Sequence, residues 1–344
     1  MPTSRIPLSV LDLVPRSQGM TAATAIEESV TLAREVDKLG YRRFWMAEHH
    51  GSEAFMSSAT ALLLGHVAHA TDRIRLGSGG VMLPNHSPLM VAEYYGTLAT
   101  IHGDRFDLGL GRAPGTDPMT AAALSRSSGH LPDFASEVAD LQGYLGAPRS
   151  GARVRALPGE GTEVPLWMLG SSTGGAQVAA ALGLPFSFAS HFAPDQLAEA
   201  LAIYRDRFRA DAATAQVDRP TTMAGVNVLV APTQEEADHL FTTAQLMAIR
   251  IRSGQPAPLD PPVDSLAAVV PTELLPLAHA HQSVKMVGTP DTVVEQLESF
   301  AGSHELDELI VTTYTYDPQM RRRSYRMLAD AWGMSSASPV EIAS

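Results

Sequence analysis

Strand-like and helix-like runs alternate along the whole chain, eight times over. The strand-like runs are short and strongly apolar: Leu8 to Pro15 ("LSVLDLVP"), "RRFWMAEHH", Ile74 to Pro84, Arg105 to Ala113, "LWMLGSS", "PFSFAS", "MAGVNVLVAPT" and "LDELIVTTYTY". Between them lie runs with helical spacing. The first carries Ile26, Val30, Ala33, Val36 and Leu39 and stops at Gly40. Strands that are apolar on both faces belong to a parallel sheet covered by helices, and eight is the number that closes such a sheet into a barrel. The expected fold is therefore a (β/α)8 TIM barrel, read as a single domain over 1–344. A doubly wound open sheet would place a glycine-rich dinucleotide turn after strand one, where the sequence has "LVPRSQG".

Two insertions interrupt the alternation. One follows strand four, Pro114 to Pro165, with two helical stretches. The other follows strand seven, Gly254 to Met286, and opens on the proline-rich "QPAPLDPPV"; it is expected to form a mobile lid. Thr233-x-x-Glu236 reads as a capping box, and Thr289-Pro290 as a helix start.

Composition narrows the function. The formal charge is −12, and the one basic run, Arg321-Arg322-Arg323, sits in a helical pattern, so nucleic acid is not an expected partner. The absence of cysteine excludes disulfides, thiolate metal sites and a cysteine nucleophile. No run approaches membrane-spanning length, and the N-terminus lacks a signal pattern, so a soluble, cytoplasmic protein is expected.

In a (β/α)8 barrel, chemistry gathers at the C-terminal ends of the strands. Here those ends read EHH, GSGG, GLGR, GSS and ASH. Glu48, His49 and His50 offer metal ligands, a catalytic base or a polar strand cap. Metal is disfavoured, because neighbours on a strand point to opposite sides. A neutral imidazole aimed into a dry pocket suits proton transfer near neutrality. Gly77 to Gly80 reads either as a bulge that lets the backbone approach something flat or as a loose turn. Arg112 can fork onto a phosphate, or pair with Glu48 or Asp117. Ser171, Ser172 and Thr173, followed by Gly174-Gly175 at a helix start, can bind an anion or simply cap the helix.

Taken together, "EHH", "GSGGVMLPNHSP", "DRFDLGLGR", "GSS…GLP…ASHFAP" and "VGTPDTV" resemble the bacterial luciferase-like flavin-dependent monooxygenases. The resemblance implies a TIM barrel with an insertion lid and an FMN site at its C-terminal face. On it, His49 matches the catalytic histidine, Gly79 and Gly80 a bulge with a non-proline cis peptide under the flavin ring, and Arg112 and Ser172 the phosphate contacts, with Gly174-Gly175 alongside. Two departures argue against light emission: the reactive cysteine of luciferase's alpha chain falls at Gly111, and the acid at its phosphate site falls at Ser171.

The expected activity is that of a two-component monooxygenase. A separate flavin reductase supplies reduced FMN, and O2 provides the oxygen for an apolar small molecule, an aldehyde among the candidates. A homodimer through barrel helices is expected. A deazaflavin-dependent hydride-transfer enzyme and a flavin-binding protein without turnover are the two rival readings.

Overall fold

The computed structural model describes residues 5–113, 116–124, 133–148, 150–278 and 284–334. Nine parallel strands form one sheet: β1 (Leu8–Asp12), β2 (Arg43–Met46), β3 (Arg75–Met82), β4 (Phe106–Gly111), β5 (Leu166–Gly170), β6 (Phe186–Phe188), β7 (Thr222–Val230), β8 (Lys285–Gly288) and β9 (Glu308–Thr312). Their order is β6-β5-β4-β3-β2-β1-β9-β7-β8, and a further β6–β7 pairing closes the ring. Eight strands therefore make the barrel, as the sequence predicts. The ninth, β8, pairs with Asn227 to Val230 of β7 and lies outside the ring. It replaces the expected end of the second insertion; a four-residue run opening on a lysine carries no periodic signal that would reveal it.

The helices are α1 (Ala22–Leu39), α2 (Thr60–Ala68), α3 (Pro88–His102), α4 (Pro118–Leu124), α5 (Phe134–Leu145), α6 (Thr173–Leu182), α7 (Leu197–Asp206), α8 (Gln234–Arg252), α9 (Pro290–Ser303) and α10 (Pro318–Trp332). Thr21 caps α1 by accepting from Thr24 N–H, and Gly40 ends it in the left-handed region at φ 88°. Thr233 caps α8 through Glu236 N–H, as the capping box predicts. Thr289 precedes α9 but makes no side-chain capping bond.

Alternate strand residues divide two ways. Val10, Phe44, Leu108 and Phe186 pack with the helices in the larger core. Leu11, Trp45, Trp167, Met223 and Ile310 form a second cluster that fills the barrel, with Trp45 and Trp167 edge-to-face at 5.5 Å. Below this layer, at the N-terminal ends of the strands, buried charges close the floor. Arg43 bonds Asp107 at 2.5 Å and Glu308 at 2.9 Å; Ser9 also bonds Glu308, and Trp45 Nε1 donates to Asp107.

The basic run on α10 is spent on ion pairs. Arg321 meets buried Asp12 of β1 at 2.8 Å, Arg322 pairs with Glu28 and Glu35, and Arg323 with Glu236. The proline-rich segment is also less free than expected. Leu259 is buried and exchanges backbone bonds with Arg16 and Gln18, and Asp260 is held by Arg250. Two short 3-10 turns, Leu266–Ala268 and Thr272–Ala278, follow; residues 279–283 of the expected lid lie outside the described residues, as do 114–115, 125–132 and 149 of the first insertion.

Candidate active site at the barrel mouth

Regular pairing of β2 stops at Met46, so Glu48, His49 and His50 stand beyond it. The alternation still holds: Trp45 and Ala47 belong to the interior cluster, which puts His49 on the inner side and Glu48 and His50 on the other. Glu48 is only 2% exposed. Its Oε1 accepts from Nε2 of both His50 and His86 at 2.8 Å, and its Oε2 from Met82 N–H at 3.2 Å. Burial pushes this carboxyl up, but the bonds from His86, His50 and Met82 outweigh it and hold it below the usual range. Glu48 thus ties the tip of β2 to the tip of β3. The ligand atoms of Glu48, His50 and His86 lie within 4.8 Å of one another, a group that could hold a metal ion, yet each short contact is already a hydrogen bond. His86 is a residue the sequence reading missed; its only signal was its place in "PNHSP".

His49 keeps one side chain atom in an unusual state. Nδ1 is enclosed and has no hydrogen-bond partner among the described residues. Burial drives its pKa down to about 4; the neighbouring Glu48 charge offsets part of this and His50 adds to it. The ring is therefore neutral near pH 7. It packs on Phe55 at 5.3 Å, and Phe55 on Tyr314 at 6.1 Å. Phe55 is placed from β1: Val14, at φ 51°, donates its N–H to Asp12, and its carbonyl receives Met56 N–H.

The β3 register slips between Ser78 and Val81, and the peptide between Gly79 and Gly80 is cis. A side chain at either glycine would force its surroundings to shift, backbone in the case of Gly80. A Cβ on Gly79 would stand 2.6 Å from Leu11 Cδ1, and one on Gly80 2.8 Å from Gly109 O. The bulge thus presents bare backbone. Gly111 is similarly tight, with Met82 Sδ 2.8 Å from its Cβ position.

Arg112 and the loop after β5 face each other. The guanidinium Nη2 lies 2.8 Å from the point a Cβ on Gly174 would occupy. Ser172 is the N-cap residue of α6, yet its hydroxyl makes no capping bond. Thr173 N–H is bonded by Gln196 Oε1, and Ser171 is exposed. A Cβ on Gly175 would stand 3.2 Å from Gly170 Cα. Neither rival partner takes Arg112. Glu48 is held by the histidines, and Asp117 by Thr116, Met119 and Thr120. A guanidinium and a hydroxyl, neither with a hydrogen-bond partner among the described residues, thus meet at a helix start after strands four and five, an arrangement that could hold an anion.

A closed parallel (β/α)8 barrel with polar groups gathered at the C-terminal mouth is an enzyme architecture. Comparison with known proteins identifies the kind: residues 6–304 match the luciferase-like monooxygenases, and the chain belongs to that family of oxidoreductases. It is 42% identical over 332 residues to the luciferase-like monooxygenase of Escherichia coli K12, covering 96% of this chain and 98% of that one. Among solved structures, apo-MsnO8 superposes with a TM-score of 0.83 at 35% identity, covering 96% and 99% of the two chains. The oxygenating constituent of 3,6-diketocamphane monooxygenase from Pseudomonas putida, solved in complex with FMN, shares the fold with a TM-score of 0.66 at 17% identity over 95% and 97%.

Proposed function

We propose that the protein is a monooxygenase that uses reduced FMN and O2 to oxygenate an apolar small molecule, the whole of 1–344 serving as one barrel domain. The observation that carries this is the Arg112–Gly174 juxtaposition at the N-terminus of α6, where a terminal phosphate would meet a guanidinium and a hydroxyl. An FMN-bound relative of the same fold supports the choice of flavin.

In this reading Arg112, Ser171, Ser172, Gly174 and Gly175 hold the phosphate, and the bare backbone of Gly79-Gly80 supports the ring. Reduced FMN would supply the electrons that split O2. His49, neutral and inward, holds or accepts a proton beside the substrate. Phe55, Tyr314 and Leu13 give the mouth apolar walls that keep water out. Glu48 positions the bulge through Met82 and His86, a hydrogen-bonding role that needs no metal.

A flavin reductase supplies the reduced cofactor from outside, in the cytoplasm. The exposed apolar side chains Leu62 on α2 and Met90, Tyr94 and Ile101 on α3 are the face through which a homodimer forms. No helix among the described residues is long and apolar enough to cross a membrane.

The test is retention. Purified protein is incubated with FMN or with a deazaflavin, gel-filtered, and read by visible absorbance. FMN alone should co-elute; retention of the deazaflavin alone would transfer the site to hydride chemistry. Oxygenated product from reduced FMN and O2 separates an enzyme from a carrier.

A further inference from the structure

Glu48 is a buried carboxylate without a fixed cation. Its side chain is 2% exposed, and among the described residues neither lysine nor arginine pairs with it; its side-chain partners are His50 and His86. Buried charges in proteins are paired or coordinate metals. Here the compensation is a pair of hydrogen bonds, from His50 Nε2 and His86 Nε2 to the same Oε1, each at 2.8 Å. An ionised carboxylate only accepts, so both rings carry their hydrogen on Nε2.

The same three atoms have the layout of a chelate. They lie within 4.8 Å of one another. Around a tetrahedral Zn2+ with bonds of about 2.0–2.1 Å, ligand atoms stand about 3.3 Å apart. Each 2.8 Å contact would have to lengthen by only about 0.5 Å, within reach of side-chain rotation. Adjacent strand residues diverge, but Glu48 and His50 alternate and share the outer side of the β2 tip. His86 joins them from the end of the 3-10 turn Leu83–Asn85 after β3, where its N–H bonds Leu83 O at 2.9 Å. The histidine side is open: the His50 and His86 side chains are 14% and 30% exposed, which gives an ion and a water ligand an entry path.

We propose that Glu48, His50 and His86 form a binding site for one divalent transition-metal ion of the Zn2+ class. Two imidazoles and a carboxylate suit Zn2+ or Co2+, whereas Mg2+ and Ca2+ prefer oxygen ligands. The ion takes the two Nε2 lone pairs, and each ring shifts its hydrogen to Nδ1. Oε2 keeps its bond from Met82 N–H, which orients the ligating carboxylate. The site lies on the side of the β2 tip away from the inward His49, so the ion braces the tips of β2 and β3 and does not handle substrate. This goes beyond the monooxygenase reading and does not depend on it.

The experiment titrates chelator-treated, desalted protein with Zn2+ in a calorimeter, with Co2+ as a visible-absorbance probe and Mg2+ for comparison. One equivalent of Zn2+ should bind, Co2+ should give the intense absorption of a four-coordinate ion, and Mg2+ should give no heat. His86→Ala should weaken Zn2+ about 100-fold. His50→Ala should do the same and serves if His86→Ala fails to fold. His66→Ala, which removes an exposed imidazole beside Glu27 on α1, should leave Zn2+ binding unchanged. In isotope-labelled protein, Zn2+ should convert the ring nitrogen signals of His50 and His86 to the Nδ1–H pattern. The ring of His191 is an internal reference that should not move: it fills the slot over Gly225 of β7, where a Cβ would stand 2.1 Å from its Nδ1, and that Nδ1 is enclosed like that of His49. Zn2+ should also raise the Tm of wild type and not that of His86→Ala. Absence of Zn2+ binding, or equal affinity in wild type and both histidine variants, would overturn the proposal. Binding without a rise in Tm would remove the bracing role.

Discussion

Arg112 Nη2 lies 2.8 Å from where Gly174 would carry a Cβ, so the guanidinium rests on a residue with no side chain to push it away. The consequence is selective. Arg112→Ala should weaken FMN by about 10- to 100-fold and riboflavin hardly at all, because a charge-assisted contact of about 1.5–3 kcal/mol is lost only where a phosphate is present. Gly174→Val should mimic it by displacing the arginine. Fluorescence titration with both flavins decides; equal losses would remove the phosphate from this cradle.

His49→Ala should retain FMN but divert reduced FMN and O2 to hydrogen peroxide. Proton handling by a positioned side chain typically contributes about 10²–10⁴-fold, and His49 is the strand-tip base to which the proposed function gives that role. A peroxide assay beside product analysis measures the split. Wild-type coupling in the variant would reduce His49 to a strand cap.

Acid should destabilise the fold through the two enclosed histidines. Each has a folded pKa of about 4, below the ordinary value of 6.5, so the unfolded chain binds more protons between those limits. Their stabilising contribution is complete above pH 6.5 and is lost as pH falls toward 4. The His49→Phe/His191→Phe double variant should therefore lose less Tm than wild type between pH 7.5 and 5. Parallel melting curves check this, and identical acid sensitivity would refute it.

Arg43→Ala should destabilise the barrel by about 1–3 kcal/mol, since Asp107 and Glu308 lose their shared buried cation and are left with Arg75 at 3.0 Å and Arg42 at 3.5 Å. Urea unfolding gives the difference. A loss under 1 kcal/mol would mean that Arg75 and Arg42 suffice to balance the two carboxylates.

Limited proteolysis should cut the second insertion first within 264–278, at sites such as Glu273, and spare the stretch around Leu259 and Asp260. Mass spectrometry of the first fragments locates the cut. A first cut beside Leu259 would show that its bonds to Arg16 and Gln18 do not hold in solution.

The barrel was legible because its strands are written twice, as apolar runs and as polar tips. Arg112 and the Ser171–Gly175 turn were legible for the same reason, each lying where a strand run ends. What the sequence concealed are relations across long separations. His86 has no local mark, and only the fold brings it to Glu48, 38 positions earlier. His191 stood in view at a strand tip, but the glycine that makes room for it is on the next strand. The proline count of the second insertion spoke for looseness, whereas the bonds that fix Leu259 come from the loop after β1. β8 escaped because four residues are too few for any period.

The seam of the barrel lies between β1 and β9, where Leu8 pairs with Leu309, and α10 seals it with Arg321 against Asp12. During synthesis this seam sets a clock. Until residue 312 has left the ribosome β1 carries an unpaired edge, and until residue 321 follows Asp12 lacks its cation, so the nascent sheet stays open on one side. A message broken before β9 would release chains with most of the active-site residues but no closed mouth. Such fragments would be sticky along β1, a natural place for chaperones to dock.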